Sequence, residues 1–235
     1  MNHTDIQLRS IQVGLPKTLG TLNASNTMDQ EWTTGFFKET VLGPVWVGTT
    51  NLAGDGQADL RVHGGPDKAI NVYPSEHYAF WLAELDCKEL PNGAFGENFT
   101  VAGILETKAC IGDIFELGDA LVQISQPRQP CWKLSRRWRV QDLVARVVRT
   151  GKTGWYFRVL REGNVQAGAA LALVERPYPE WTVATANNVM LHRKENYMDA
   201  QALADCPALS GSWKATLSRT TATDVAADTS ARNFQ

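Results

Sequence analysis

Ile114-Phe115-Glu116-Leu117-Gly118-Asp119-Ala120-Leu121-Val122-Gln123-Ile124-Ser125 holds two apolar, β-forming runs separated by Gly-Asp. A two-residue loop opening with glycine is the signature of a tight hairpin, because a type II′ turn needs positive φ at its first central position. Directly behind it comes Gln126-Pro127-Arg128-Gln129-Pro130-Cys131-Trp132-Lys133. The two prolines withhold backbone donors, so the ladder should end there and the chain should leave the sheet as a stiff loop.

Working outward, the first third is rich in glycine and short strand-like runs, among them Pro44–Gly48 and Leu60–His63, with Ala53-Gly54-Asp55-Gly56 reading as a turn. A helix is expected behind Pro74, placed at its first position, with Tyr78, Trp81, Leu82 and Leu85 on one face. It should cover a sheet or a barrel end. His77 reads as a residue of that helix's surface and His192 as a helix-end residue.

Beyond the cysteine, Leu143, Val144, Val147 and Val148 fit a helix stopped by Gly151. Trp155–Leu160 and Ala169–Val174 read as strands around an Arg161-Glu162-Gly163-Asn164 turn. Past Pro177 and Pro179 the texture changes, and three short helices are expected around Val183–Met190, Tyr197–Ala204 and Trp213–Leu217. The reading is therefore α+β, mainly β, with domains at 1–177 and 178–219, the second docked on the first, and a polar tail at 220–235.

The 235 residues are 43% hydrophobic. A chain of that size buries roughly 70–75% of its unfolded surface and needs no staple to fold. Its four cysteines show no CxxC spacing, which argues against a structural zinc or dithiol motif. With 23 basic and 25 acidic residues the net charge is −2, unlike a nucleic-acid polymer binder. No apolar run reaches membrane-spanning length, so a cytoplasmic protein with reduced thiols is expected.

Three segments carry chemistry. Cys131 stands between Arg128 and Lys133, whose charges favour a thiolate, a good ligand for a soft metal; a plain packing cysteine is the other reading. Arg61-Val62-His63-Gly64-Gly65-Pro66-Asp67-Lys68-Ala69-Ile70-Asn71 pairs cations with adjacent glycines and suits a phosphate, or is an ordinary turn. Phe95-Gly96-Glu97-Asn98 offers donors and acceptors to a pterin-like ring, or caps a turn.

Together with Tyr73–Tyr78, Ile111–Phe115 and Gly151–Trp155, these segments resemble, in order and spacing, the MOSC-domain family and more narrowly its YiiM-type members. The resemblance runs over most of residues 10–217. It implies a MOSC β-barrel core, a C-terminal three-helix domain, and a molybdenum–molybdopterin cofactor. By resemblance, Cys131 is the metal ligand, Arg128 a candidate for holding the cofactor or an oxo group, and Asn98 and His63 members of the other motifs, counted with Cys131 as catalytic candidates.

Arg61, Gly64, Gly65, Lys68, Asn71, Glu97, Lys133 and Arg158 complete the expected cofactor set, from charge and position. The implied activity is two-electron reduction of N-hydroxylated compounds such as 6-N-hydroxylaminopurine, with carboxylates or His63 moving protons. No flavin, haem or iron–sulfur motif is present, so an external flavin or iron–sulfur electron donor is the expected partner. The alternative is a cofactor carrier, or a sulfur-transfer protein that uses Cys131 as a persulfide.

Overall fold

The computed structural model describes residues 6–60 and 63–219. Arg61, Val62 and the expected polar tail lie outside them. The strands are β1 (Gln7–Val13), β2 (Lys17–Leu19), β3 (Trp32–Thr34), β4 (Glu39–Thr40), β5 (Val45–Val47), β6 (Ile70–Pro74), β7 (Phe99–Ala102), β8 (Ile114–Leu117), β9 (Ala120–Pro127), β10 (Trp155–Arg161), β11 (Gly163–Val165) and β12 (Ala172–Glu175). Six helices accompany them: α1 (His77–Glu84), α2 (Trp132–Trp138), α3 (Leu143–Thr150), α4 (Val183–Leu191), α5 (Tyr197–Ala204) and α6 (Gly211–Ser218).

Eight strands form one sheet in the order β12-β8-β9-β10-β6-β7-β1-β4, antiparallel except for the parallel pair β6–β7. The sheet curls until residues leading into β12 meet β1 again. Leu8 donates to Ala169 O at 2.9 Å, Gly168 to Leu8 O at 2.7 Å and Leu171 to Ile6 O at 2.9 Å. Antiparallel pairs close through short turns, whereas the parallel pair needs a crossover, supplied by α1 and the loop after it.

The decisive hairpin forms as read. Gly118 has φ +57°, and Asp119 is not among the positive-φ residues, the sign pattern of a type II′ turn. β8 and β9 pair from Leu117–Ala120 to Ile114–Gln123. β9 then ends at Pro127.

Alternation along β9 and β10 points Val122, Ile124, Trp155 and Phe157 into the barrel, where they join Phe99, Phe115 and Ile70 without exposure. Fully burying a side chain of this size contributes about 1.5–3 kcal/mol. The same core continues into the C-terminal helices through Val183, Ala186, Leu203 and Trp213. Backbone bonds seal the junction: Val183 N to Ala109 O (2.8 Å) and Ser210 N to Ser125 O (2.9 Å).

A second core lies outside the barrel. Tyr73, Trp81, Phe95, Leu134, Leu143, Val147 and Phe36 pack together, joining α1, α2, α3 and the loop at Gly93–Gly96. Tyr73 and Phe95 stack at 4.5 Å and 11°. These elements flank the cleft described below, so this cluster fixes its walls.

Five expectations need correction. Pro74 closes β6 instead of opening α1, whose N-cap is Glu76. Leu60 lies in a turn and His63 in a bend, not in a strand, and Gly163–Asn164 belong to β11, paired with β5. An additional helix, α2, begins immediately after Cys131. His77 is buried, with Nε2 2.8 Å from Glu106 Oε2, because the β6–α1 corner turns it inward.

Candidate active site

The cleft opens where β9 runs out. Arg128 N donates to Gly154 O (3.1 Å) as a last rung, and Cys131 becomes the N-cap of α2 in an extended conformation, φ −118° and ψ 164°. Its thiol makes no capping bond and is only partly buried. The sulfur is therefore left for the cavity.

Arg128 is buried, and one of its terminal nitrogens donates to Phe95 O at 2.8 Å, tying the cysteine loop to the Gly93–Gly96 loop. The other, Nη1, is buried with no partner. A buried unsatisfied guanidinium donor costs several times what an ordinary hydrogen bond gains, so it marks a place kept for a ligand.

Asn71 and Asn98 form a reciprocal brace. Asn98 N donates to Asn71 O (2.7 Å), Asn71 N to Asn98 Oδ1 (3.1 Å), and Asn71 Nδ2 to Gly96 O (3.1 Å). The last bond fixes the amide orientation and leaves Asn71 Oδ1 a buried acceptor without a donor. Asn98 Nδ2 reaches Asp55 Oδ2 (2.9 Å), and Asp55 Oδ1 accepts from Gly14 N (2.9 Å) and from Lys38.

The cleft encloses about 630 Å³ of space between atoms, part of it open to solvent. His63, Gly64, Lys68, Asn71, Asn98, Arg128, Cys131 and Lys133 all line it, so the fold brings residues of the three motifs to one cleft. Asp55 is the one acid among the described lining residues, against Lys38, Lys68, Arg128 and Lys133. The excess is positive and suits an anion.

Three expected members stand elsewhere. Glu97 is fully buried behind the wall, where it accepts from Gly93 N (2.7 Å), Phe95 N (2.9 Å) and Tyr78, and so shapes the loop instead of touching a ligand. Arg158 is turned to Asp67 (2.7 Å) and Gln123 (3.0 Å), outside the lining. Gly65 is set back as the N-cap of a 3-10 turn at Pro66–Lys68.

Conversely, Lys38, Asp55, Gln57 and Tyr156 line the cleft without having been singled out from sequence. An acid between two glycines, Gly54-Asp55-Gly56, was the available signal. Lys38 arrives on a strap tied to α2. Arg136 stands between Trp32 and Trp132, 5.3 and 5.4 Å from their ring centres, and donates to Thr27 O (2.6 Å) and Met28 O (3.2 Å), while Lys133 Nζ donates to Thr33 O (2.9 Å).

Burial, then the charges of Lys133, Arg128 and Lys68, push the His63 imidazole down to about 4 from its ordinary 6.5. It is neutral at neutral pH. The unfolded imidazole takes a proton near 6.5 that the folded one refuses until about 4, so this share of stability is whole above 6.5 and is lost as pH falls towards 4. His63→Gln is expected to flatten that part of the acid-side decline, read from urea midpoints at pH 7 and pH 5; equal declines in both proteins would remove the assignment.

The MOSC domain family matches residues 59–172, and the YiiM-like 3-alpha helix domain family matches residues 181–219. Over 206 residues the chain is 46% identical to protein YflK of Bacillus subtilis strain 168, covering 88% of this chain and 90% of that one. The chain is a MOSC-domain protein of the YiiM type. The crystal structure of YiiM from Geobacillus stearothermophilus superposes with TM-score 0.76 at 40% identity, over 92% of this chain and 98% of that one.

A protein of Gibberella moniliformis named Reductase is 38% identical over 184 residues, which is 76% of this chain but only 32% of the fungal one. The MOSC assignment brings molybdenum cofactor binding as the family's general association. The residues present fit such a group. One thiol faces the cleft and, among the described residues, no cluster of three His, Cys, Asp or Glu side chains offers a complete metal cage, a donor set suited to a metal that arrives already held by an organic ligand. Arg128 Nη1 and Asn71 Oδ1 supply an unspent donor and acceptor beside it.

Proposed function

We propose that this MOSC protein reduces N-hydroxylated compounds, such as 6-N-hydroxylaminopurine, to the corresponding amines with a molybdenum–molybdopterin cofactor held through Cys131. The observation that supports it is the meeting, in one cationic cleft, of the Cys131 thiol with the unspent guanidinium N–H of Arg128. The overall change is R–NHOH + 2 e⁻ + 2 H⁺ → R–NH2 + H2O. When bound, the cofactor supplies the two-electron redox chemistry.

The chain's residues supply the rest. Cys131 Sγ would bind the metal, Arg128, Lys68 and Lys133 would hold phosphate and other anionic oxygens, and Asn71 Oδ1 would offer the cofactor an acceptor. The second core and the Arg136 tie keep these groups in place before a ligand arrives, so little ordering is left for binding to offset. Electrons come from a separate flavin or iron–sulfur protein.

The test is turnover of 6-N-hydroxylaminopurine by protein loaded with molybdenum and pterin, with a chemically reduced mediator as electron source. Amine should form in proportion to bound molybdenum. Tightly bound cofactor with no turnover of any N-hydroxylated compound would instead favour a carrier.

A further inference from the structure

The proposed reduction consumes two protons, and His63, neutral at neutral pH, has none to give there. The cleft holds another candidate. Lys38 is 6% exposed at its side chain and its partner Asp55 1%, yet both line the cavity. Of the three ammonium N–H bonds, one goes to Asp55 Oδ1, and among the described residues no other acceptor contacts Nζ.

A buried ammonium with two unspent donors is costly unless something in the cavity receives them. Asp55 itself is immobilised: Gly14 N, Asn98 Nδ2 and Lys38 all donate to it, and Asn98 is locked to Asn71. The dyad is thus fixed in the same wall as Asn71, whose Oδ1 is a buried acceptor without a donor.

We propose that Lys38 is the general acid of this site, donating the proton that converts the departing hydroxyl of an N-hydroxylated substrate into water. In the step the N–O bond breaks, its electron pair leaves on oxygen, and that oxygen takes the proton from Lys38 Nζ. The two electrons come from the external flavin or iron–sulfur donor by way of the loaded site, and the second proton reaches nitrogen from solvent. Asp55 positions the amine, and Lys38 recovers its proton from solvent at the cleft mouth.

Burial holds the Lys38 ammonium below the usual lysine range, against the opposing pull of Asp55 and Glu97, the acids that face it. Lys68, Arg128 and Lys133 share the cavity and load it with further positive charge, beside the neutral His63. Held lower, the ammonium is a stronger acid that releases its proton more readily, and it stays protonated in the acidic arm of the pH range.

The inference rests on the N-hydroxyl reductase reading, and two measurements test it. In cofactor-free full-length protein labelled with [13Cε]lysine, the Lys38 and Lys68 resonances should titrate below the other lysines, and the one that vanishes in Lys38→Arg should move to lower pH in Asp55→Asn. In loaded protein, Lys38→Met should lower kcat about 10²-fold at unchanged molybdenum content, the scale of a lost general acid. Lys38→Arg, which keeps its proton to higher pH, should move the alkaline limb of kcat upward.

A Lys38 resonance among the ordinary lysines would overturn the proposal, as would Lys38→Met that loses molybdenum but keeps full turnover per metal. So would unchanged pH profiles in an active enzyme, and that result would leave the reductase reading standing. A wild type inert towards every N-hydroxylated compound would remove that reading and this one together.

Discussion

Cys131→Ala is expected to give a folded protein that neither retains molybdenum nor reduces an N-hydroxylated substrate, with turnover per chain lower by roughly 10³-fold, about 4 kcal/mol of barrier. The fold should survive because the thiol is partly exposed and caps nothing, and the α2 N-terminus keeps the Leu134 N to Cys131 O bond (3.0 Å), which needs only backbone. A surface-type truncation of this kind changes stability by within about 0.5–1 kcal/mol. Cys131→Ser should behave almost as badly, since a neutral hydroxyl is a harder and weaker donor than a thiolate. Metal analysis of the purified variants decides the matter. Wild-type molybdenum content in Cys131→Ala would end the ligand assignment, whatever the activity.

Glu97→Ala is expected to be the most destabilising single change near the cleft, by about 4 kcal/mol, the scale for breaking a buried charged network. Its carboxylate has no exposure and accepts from two loop amides, from Tyr78 and from Thr100 (3.3 Å). Truncation strands the two loop amides and the Tyr78 hydroxyl, while Thr100 keeps Gln12 Oε1 (3.4 Å) as an acceptor. The loss should also reach the site, because the same loop supplies Phe95 O to Arg128 and Gly96 O to Asn71.

Glu97→Gln keeps shape and one acceptor oxygen but turns the other into a donor facing an N–H or a hydroxyl, so about half the loss is expected. Urea denaturation measures both. At 2–4 °C per kcal/mol for a chain of this length, the alanine variant should melt about 8–16 °C lower. A change below about 1 kcal/mol would mean that the loop amides are satisfied in another way.

How legible all this was in the sequence depended on the range of the cause. The β8–β9 hairpin was readable because Gly118-Asp119 decides it within two residues. The end of β9 at Pro127 was readable for the same reason, and so were the three C-terminal helices, whose apolar spacing is local. α2 was not, since Trp132–Trp138 carries Lys-Leu-Ser-Arg-Arg in its middle and owes its place to Arg136 and Arg137 gripping a strap a hundred residues earlier in sequence.

His77 shows the same limit. Helical periodicity marks which face is apolar, but it does not report that Glu106 waits beneath the first turn. At the site, residues in compact motifs such as His63-Gly64 and Arg128 to Cys131 could be picked out, whereas Lys38 and Asp55 are joined to them only by folding. Arg158 was misplaced by charge alone, with no way to see that Asp67 would claim it.

The closing seam of the barrel bears on how the protein is made. For β1, the partner β7 follows about 90 residues later in the chain, roughly 5–20 s at ordinary elongation rates. The bonds on its other edge, from residues 168–171, come later still. β4 pairs only the far end of β1, at Gln12–Thr40 and Val13–Glu39, so through that interval the stretch around Leu8 has neither of its own partners. A nascent chain of this architecture therefore leaves the Leu8 end of β1 open to chaperones, and to other chains, until the later strands are made.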